Sequence, residues 1–220
     1  MVTDRPPANG KSLSQFRESE RLTSIALPAH RTLSQVAQII DAVMKEGARA
    51  QVQRACGEFL SAAAAFYGVR VPEVRALTAR PLRVRETGWQ TELFGDYSIR
   101  GESIRIWTRT AVRKQVTSFG TFLSTLCHEF SHHLDCQKFG FTRSPHTRGF
   151  YERAAMLYHH ARGTPVKKLF WIEMPGGRWR IDWRRTNRVQ QTADQILRFS
   201  SRSYLGKRPS DQDGRPERTT

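Results

Sequence analysis

The run His128-Glu129-Phe130-Ser131-His132 sets two imidazoles four residues apart, with a carboxylate directly after the first; a third imidazole, His146, follows fourteen positions after His132. On a helix, residues four apart lie one turn above each other on the same face. His128 and His132 can therefore close on one metal ion, while Glu129 projects beside that ion. A catalytic zinc takes three protein ligands and keeps a fourth position for water. A neighbouring carboxylate can take a proton from that water as it attacks a carbonyl. The pattern implies metal-assisted hydrolysis of peptide bonds, with Glu129 as the general base and Zn2+ as the cofactor.

That chemistry requires a helix under the motif. At 100° per residue from Phe122, the apolar side chains of Phe122, Leu123, Leu126, Cys127, Phe130 and Leu134 fall within an arc of about 140°. His128, His132 and Asp135 gather on roughly the opposite side, and Glu129 lies between the two faces. The division predicts a helix with one side on a core and the other presenting ligands. Asp135 is a candidate to orient a ligand histidine, with a surface pairing to Lys138 as the alternative.

Beyond this helix, Phe139-Gly140-Phe141 and Arg143-Ser144-Pro145 form a stretch that can reverse the chain. Thr147 or Ser144 can then cap a second helix running from Phe150 to His160. His146 is favoured as the third ligand, because imidazole suits zinc and the residue stands at the predicted helix entry. Glu152 competes at a spacing that zinc peptidases also use. Tyr158, His159 and His160 are candidate donors to an oxyanion, although histidines at a helix C-terminus are also stabilised by its dipole.

His128-Glu129-Phe130-Ser131-His132, thirteen intervening residues and then His146-Thr147-Arg148-Gly149-Phe150 resemble the SprT-like metallopeptidases, which include the Spartan proteases. Those families carry HExxH and a third histidine in a short H-G-x-x-F/W type segment. The resemblance implies an α+β minimal zincin: a small antiparallel sheet packed on the HExxH helix and its flanking helices. It implies His128, His132 and His146 as zinc ligands, Glu129 as catalytic base, and a protein or peptide substrate. The layout covers roughly residues 50–161, and only the metal motif is specific. Thr147 stands where the family carries glycine. The zinc-ribbon cysteines of many relatives are missing, since Cys56, Cys127 and Cys136 form no CxxC pair, and no structural zinc is expected.

The charge is strongly one-sided. Arginine supplies 29 of the 36 basic residues against 20 acidic ones, giving a net charge of +16. Arginine binds phosphates in a bidentate fashion, so the balance points to an anionic partner, single-stranded nucleic acid first. No stretch of eighteen apolar residues occurs, which excludes a membrane-spanning helix. An odd number of cysteines without disulfide spacing fits a reducing compartment, and a cytoplasmic location is the expectation.

In chain order, residues 1–30 show no periodic apolar face and are expected to form a flexible tail. A compact domain is expected over 31–165. It begins with a helix over 32–45 carrying Leu33, Val36, Ile39, Ile40 and Val43, and a second over 48–67. Leu82 and Val84, and later Ile104 and Ile106, alternate with arginines as in strands, with Gly95-Asp96 and Gly101-Glu102 as turns. The segment 101–110 is the expected edge strand for an extended substrate. In the region 166–200, Pro175-Gly176-Gly177 between aromatic runs predicts a β-hairpin, and a short helix is expected over 189–199. The hairpin tryptophans, interleaved with Arg178, Arg180, Arg184 and Arg185, serve either packing or base stacking. Residues 201–220 read as a disordered basic tail.

Overall fold

A computed structural model of the chain describes residues 1–8, 10–29, 31–84, 90–142 and 145–188. Three helices come first: α1 (Gly10–Arg21), α2 (Thr32–Glu46) and α3 (Arg49–Tyr67). Five strands follow: β1 (Glu73–Ala79), β2 (Leu82–Val84), β3 (Gln90–Glu92), β4 (Gly95–Ser98) and β5 (Ser103–Arg109). Then come α4 (Phe119–Gln137), α5 (Arg148–Arg162) and the hairpin strands β6 (Trp171–Met174) and β7 (Arg178–Ile181). Residues 183–188 are helical. The class is α+β, as the sequence predicts. The helix expected over 189–199 and the tail over 201–220 lie outside the described residues.

Helix α2 buries Leu33, Ala37, Ile40 and Met44, a stripe at spacings of four, three and four. Ile39, expected on that stripe, is exposed, because one residue before Ile40 is a rotation of about 100° off the stripe. Helix α3 follows with Phe59, Leu60, Ala63 and Ala64 fully buried, and the small alanines let neighbouring elements approach closely.

The main sheet has the order β1-β5-β4. It is mixed, where the sequence predicts an antiparallel one. β1 runs parallel to β5 from Glu73↔Ser103 to Ala79↔Arg109, and β4 runs antiparallel to it from Gly95↔Ile106 to Ser98↔Ser103. Two corrections follow. The segment expected to be an edge strand, β5, is the central strand, because β1 covers its other side. Gly95-Asp96, expected as a turn, opens β4, which with β1 is one of the two edge strands, and Asp96 Oδ1 accepts from Arg105 Nε across the ladder at 2.8 Å. β1 escapes period-2 reading because its inward positions are Val74 and Ala76, flanked by Glu73 and Arg75, a composition poor in strand formers. Ile104 and Ile106 turn inward from β5 while Arg105 stays outside, so the core lies on one face of the sheet.

Helix α4 runs through the middle of that core. Ser118 caps it, its hydroxyl accepting from the Thr121 amide. Phe122, Leu123, Leu126, Cys127, Phe130 and Leu134 pack with Phe59, Leu60, Ile104 and Ile106. Each large apolar side chain buried this way contributes about 1.5–3 kcal/mol. The opposite side of α4 is covered as well: Ser131 and Asp135 are buried there, against α5 and the end of α1.

Within the stretch 1–30, expected as a flexible tail, the described residues include the helix α1. α1 lies on α5, and Gly149 makes that possible, since a Cβ there would come within 2.0 Å of the Ser19 carbonyl. Arg153 of α5 donates to the carbonyls of Ser19 and Leu22 and, through Nη2, to both Asp135 oxygens at 2.7 Å. Glu20 accepts from the amide and the guanidinium of Arg148. Residues 1–4 run beside β7, with Val2 bridging Arg180 and the Thr3 amide donating to Trp179 O at 2.8 Å. Polar groups hold this segment in place, with Phe16 its one buried large apolar side chain, so a search for apolar periodicity passes over it. No helix among the described residues is long and apolar enough to cross a membrane.

Candidate metal centre

His128 and His132 leave α4 on the same side, one turn apart. His146 reaches them from the loop ahead of α5, whose first turn is capped by Thr147: its hydroxyl accepts from the Phe150 amide at 3.0 Å. Thr147 thus serves as the N-cap of α5. Ser19 of α1 bonds the same hydroxyl at 2.9 Å. With the turn fixed on both sides, the three rings converge through Nε2. The His128–His132 separation is 3.2 Å, and both His128–His146 and His132–His146 are 3.1 Å. Such a triangle has a circumradius of roughly 1.8 Å, so a point about 2.1 Å from all three nitrogens exists just off its plane, at a normal zinc–imidazole distance. Among the described residues, these three are the group whose donor atoms converge closely enough to hold a metal ion.

The electrostatics agree with that geometry. Burial, reinforced by the neighbouring His146, pushes the His128 imidazole down to about 3. Burial, then His128 and His146, holds His132 well below the usual histidine range. Both rings therefore stay neutral and keep a lone pair for a ligand. Burial, and secondarily Asp96, raises the Glu129 carboxyl to about 8. A cation nearby would favour its ionised form. The Glu129 stem lies against β4: a Cβ on Gly95 would come within 3.1 Å of Glu129 Cγ and 2.6 Å of Thr125 Cγ2. Glycine at this position lets the edge strand sit directly on α4 beside Glu129.

Sequence reasoning assigned no part in the site to three supporting residues. Phe150 is fully buried beneath the histidines, its ring 4.3 Å from that of His132 at an interplanar angle of 26° and edge-on to His128 and His146. Tyr151 stacks on His146 with centroids 5.6 Å apart. Asp4 accepts from the His146 amide at 2.9 Å and approaches its Nδ1 at 3.3 Å through the same Oδ2. The hydrogen bond from the His146 side chain lowers the Asp4 carboxyl below its usual range. Phe150 follows His146 by four residues, a spacing that could have flagged it; nothing local marks Asp4, 142 residues away.

The remaining candidates lie as follows. Glu152, the competitor for the third ligand position, faces the hairpin and accepts from Trp171 Nε1 at 3.1 Å. Asp135, expected on an open polar face, is fully buried with its bidentate partner Arg153; Lys138 donates to Tyr67 O. Tyr158 is remote from the histidines. Its Oη lies 3.4 Å from a Cβ built on Gly120, and Gly120 precedes His128 by eight residues, roughly 12 Å of helix. His159 Nδ1 pairs with Thr164 Oγ1 at 2.8 Å, so it closes the end of α5 through this hydrogen bond, as a neutral ring and not as the cation that a helix dipole would favour. Around the hairpin, Arg148 of α5 covers Trp179 at 4.2 Å and Arg185 covers Phe170 at 4.3 Å, while Trp183 is exposed.

No family model matches the chain, and no curated protein or solved structure matches it at a significant level.

Proposed function

We propose that the protein is a zinc-dependent endopeptidase, a minimal zincin of the SprT-like type. The observation that carries this reading is the convergence of the three Nε2 atoms with Glu129 directly after the first ligand and pressed against the edge strand β4. The all-imidazole donor set suits zinc and is wrong for calcium or magnesium, which require oxygen ligands. A zinc ion held there supplies Lewis acidity toward water and toward the scissile carbonyl.

The chain's own groups do the rest. Glu129 accepts the proton of the attacking water at a carboxylate oxygen and returns it to the leaving amine nitrogen. β4, the last strand of its sheet, offers its free backbone edge to an extended peptide, which would pair with it as an added strand. Phe150 and Tyr151 wall the site with aromatic surface and keep bulk water from the buried side of the ligands. Retention of Glu129 favours an enzyme over a basic nucleic-acid-binding protein with a purely structural zinc, because a structural site has no use for an acid beside an open position.

Metal analysis and a casein-cleavage assay, run with and without single-stranded DNA, test the proposal together. About one zinc per chain is expected. His128→Ala, His132→Ala and His146→Ala should each strip it, whereas Glu152→Ala should keep it. Glu129→Gln should retain zinc and lose hydrolysis by at least about 10²-fold, since it removes the base and leaves the ligands. A Glu129→Gln protein that cleaves casein at the wild-type rate would refute the mechanism. DNA-stimulated cleavage would add nucleic acid as a partner.

A further inference from the structure

Two of the three candidate ligands sit on one rigid helix, and the third sits in a loop. A loop ligand needs orientation from outside its own segment, and beside the ring contacts of Phe150 and Tyr151 the hydrogen bonds that supply it come from residues 1–4. The Asp4 amide donates to His146 O at 2.8 Å, the His146 amide donates to Asp4 Oδ2 at 2.9 Å, and Nδ1 of the ring lies 3.3 Å from the same oxygen. Asp4 therefore hydrogen-bonds both the backbone and the ring of His146.

Asp4 is itself anchored. Thr3 exchanges two bonds with Trp179, its amide donating to Trp179 O and its hydroxyl accepting from the Trp179 amide, both at 2.8 Å. Val2 bridges Arg180 and accepts from Tyr151 Oη at 3.1 Å. Residues 1–4 thus form a strap, laid along β7, that carries a carboxylate to the back of the loop histidine. A neutral imidazole whose Nε2 faces the other two histidines carries its proton on Nδ1, where a carboxylate can accept it.

We infer that Asp4 is a positioning residue for the metal centre, fixing the rotation and the Nδ1–H tautomer of His146, and that the β6–β7 hairpin serves as the strap's support. This rests on the metal reading above. It gives the hairpin a part in the site that its arginines and tryptophans do not suggest. Residues that orient a ligand histidine through its second nitrogen contribute about 10- to 100-fold to metal affinity.

The test is zinc affinity of the full chain, measured by competition with a chromophoric chelator. Asp4→Ala should weaken zinc binding by about 10- to 100-fold. Asp4→Asn should fall between Ala and wild type, because the carboxamide oxygen still accepts from the His146 amide and from Nδ1–H. The urea midpoints of the metal-free proteins should stay close together, which separates orientation from general unfolding. Asp4→Ala binding zinc within about twofold of wild type, or Asn recovering nothing over Ala, would overturn the inference. A second readout needs no metal: long-range 1H–15N spectra of the metal-free protein should show His146 as the Nδ1–H tautomer, and a tautomer mixture in Asp4→Ala. Identical His146 spectra in the two proteins would overturn it as well. A wild type that takes up no zinc but shows this tautomer change would refute the metal reading and leave the role of Asp4 standing.

Discussion

Arg153 is the most consequential buried charge outside the histidine cluster. It is almost wholly buried, as is Asp135, which it holds with one nitrogen on both oxygens at 2.7 Å. Its other terminal nitrogen donates to the carbonyls of Ser19 and Leu22, which fastens α1 to α5. Replacement by Met keeps most of the volume and removes every donor. Stripping one partner from a buried ion pair costs about 3–5 kcal/mol, and each carbonyl left without its donor adds about 1–3 kcal/mol. These terms overlap, so the expected loss for Arg153→Met is about 4–6 kcal/mol, a large share of a typical total of about 5–15 kcal/mol.

The double variant Arg153→Met with Asp135→Leu makes this argument sharp. It removes the buried carboxylate together with its partner, and apolar replacement of a whole buried pair is often neutral. The double variant should therefore recover about 2–3 kcal/mol over Arg153→Met alone. The Ser19 and Leu22 carbonyls stay without their donor, so recovery should be incomplete. Urea unfolding with a constant m-value measures both numbers, and limited proteolysis within residues 22–29 reports whether α1 has come away. A single variant within about 1 kcal/mol of wild type, or a double variant no more stable than the single, would refute the claim that this pair ties α1 to the motif helix.

Two further outcomes follow from particular contacts. Gly95→Ala should destabilise by about 1–3 kcal/mol through overpacking, since its Cβ would meet Thr125 Cγ2 at 2.6 Å; Thr125→Ser removes that methyl and should restore part of the loss in urea titrations, and a Gly95→Ala protein as stable as wild type would contradict the close seating of β4 on α4. Burial first, then Lys167 and Arg162, holds His159 down to about 4 beside Thr164. Its folded value lies below its unfolded one of about 6.5, so its contribution is complete above pH 6.5 and is lost as pH falls through 4. The stability gap between wild type and His159→Gln, measured by urea with chelator in both samples, should shrink over that window; parallel pH curves would refute it.

How legible the molecule was depended on which forces hold each part. α2, α3, α4 and α5 bury apolar stripes, and a stripe with a period near 3.6 is visible in sequence. The hairpin was visible for a different reason: Pro175-Gly176-Gly177 supplies turn residues between aromatic strands. His128, Glu129 and His132 were legible because helical spacing alone brings them together. His146 could be placed near a helix start, but only the structure aims it at the others and turns Glu152 toward Trp171. The losses share one cause. β1 pairs in parallel with a strand thirty residues on, α1 docks through Arg153 and Glu20, and Asp4 crosses 142 residues to reach His146. None of these leaves a periodic trace, because backbone pairing and charge-assisted bonds between distant segments have no fixed spacing.

His132 and His133 show how far residue type alone falls short of role. They are neighbours, about 100° apart on the same helix. His132 turns toward His128 and His146 with its Nε2 in their cluster. His133 turns to the sheet side and is fully buried. There its Nε2 lies 2.8 Å from the Arg70 carbonyl, which can only accept, so that nitrogen must carry the proton. Its Nδ1 is then the acceptor for Tyr97 Oη at 3.0 Å. Tyr97 belongs to the edge strand β4, so His133 ties that strand and the connection between α3 and β1 to the motif helix. One histidine offers a lone pair to the centre, while the next spends both nitrogens on holding the strand beside it. The HExxH spacing identifies the first; only the carbonyl of Arg70 and the hydroxyl of Tyr97, brought in by the fold, decide the second.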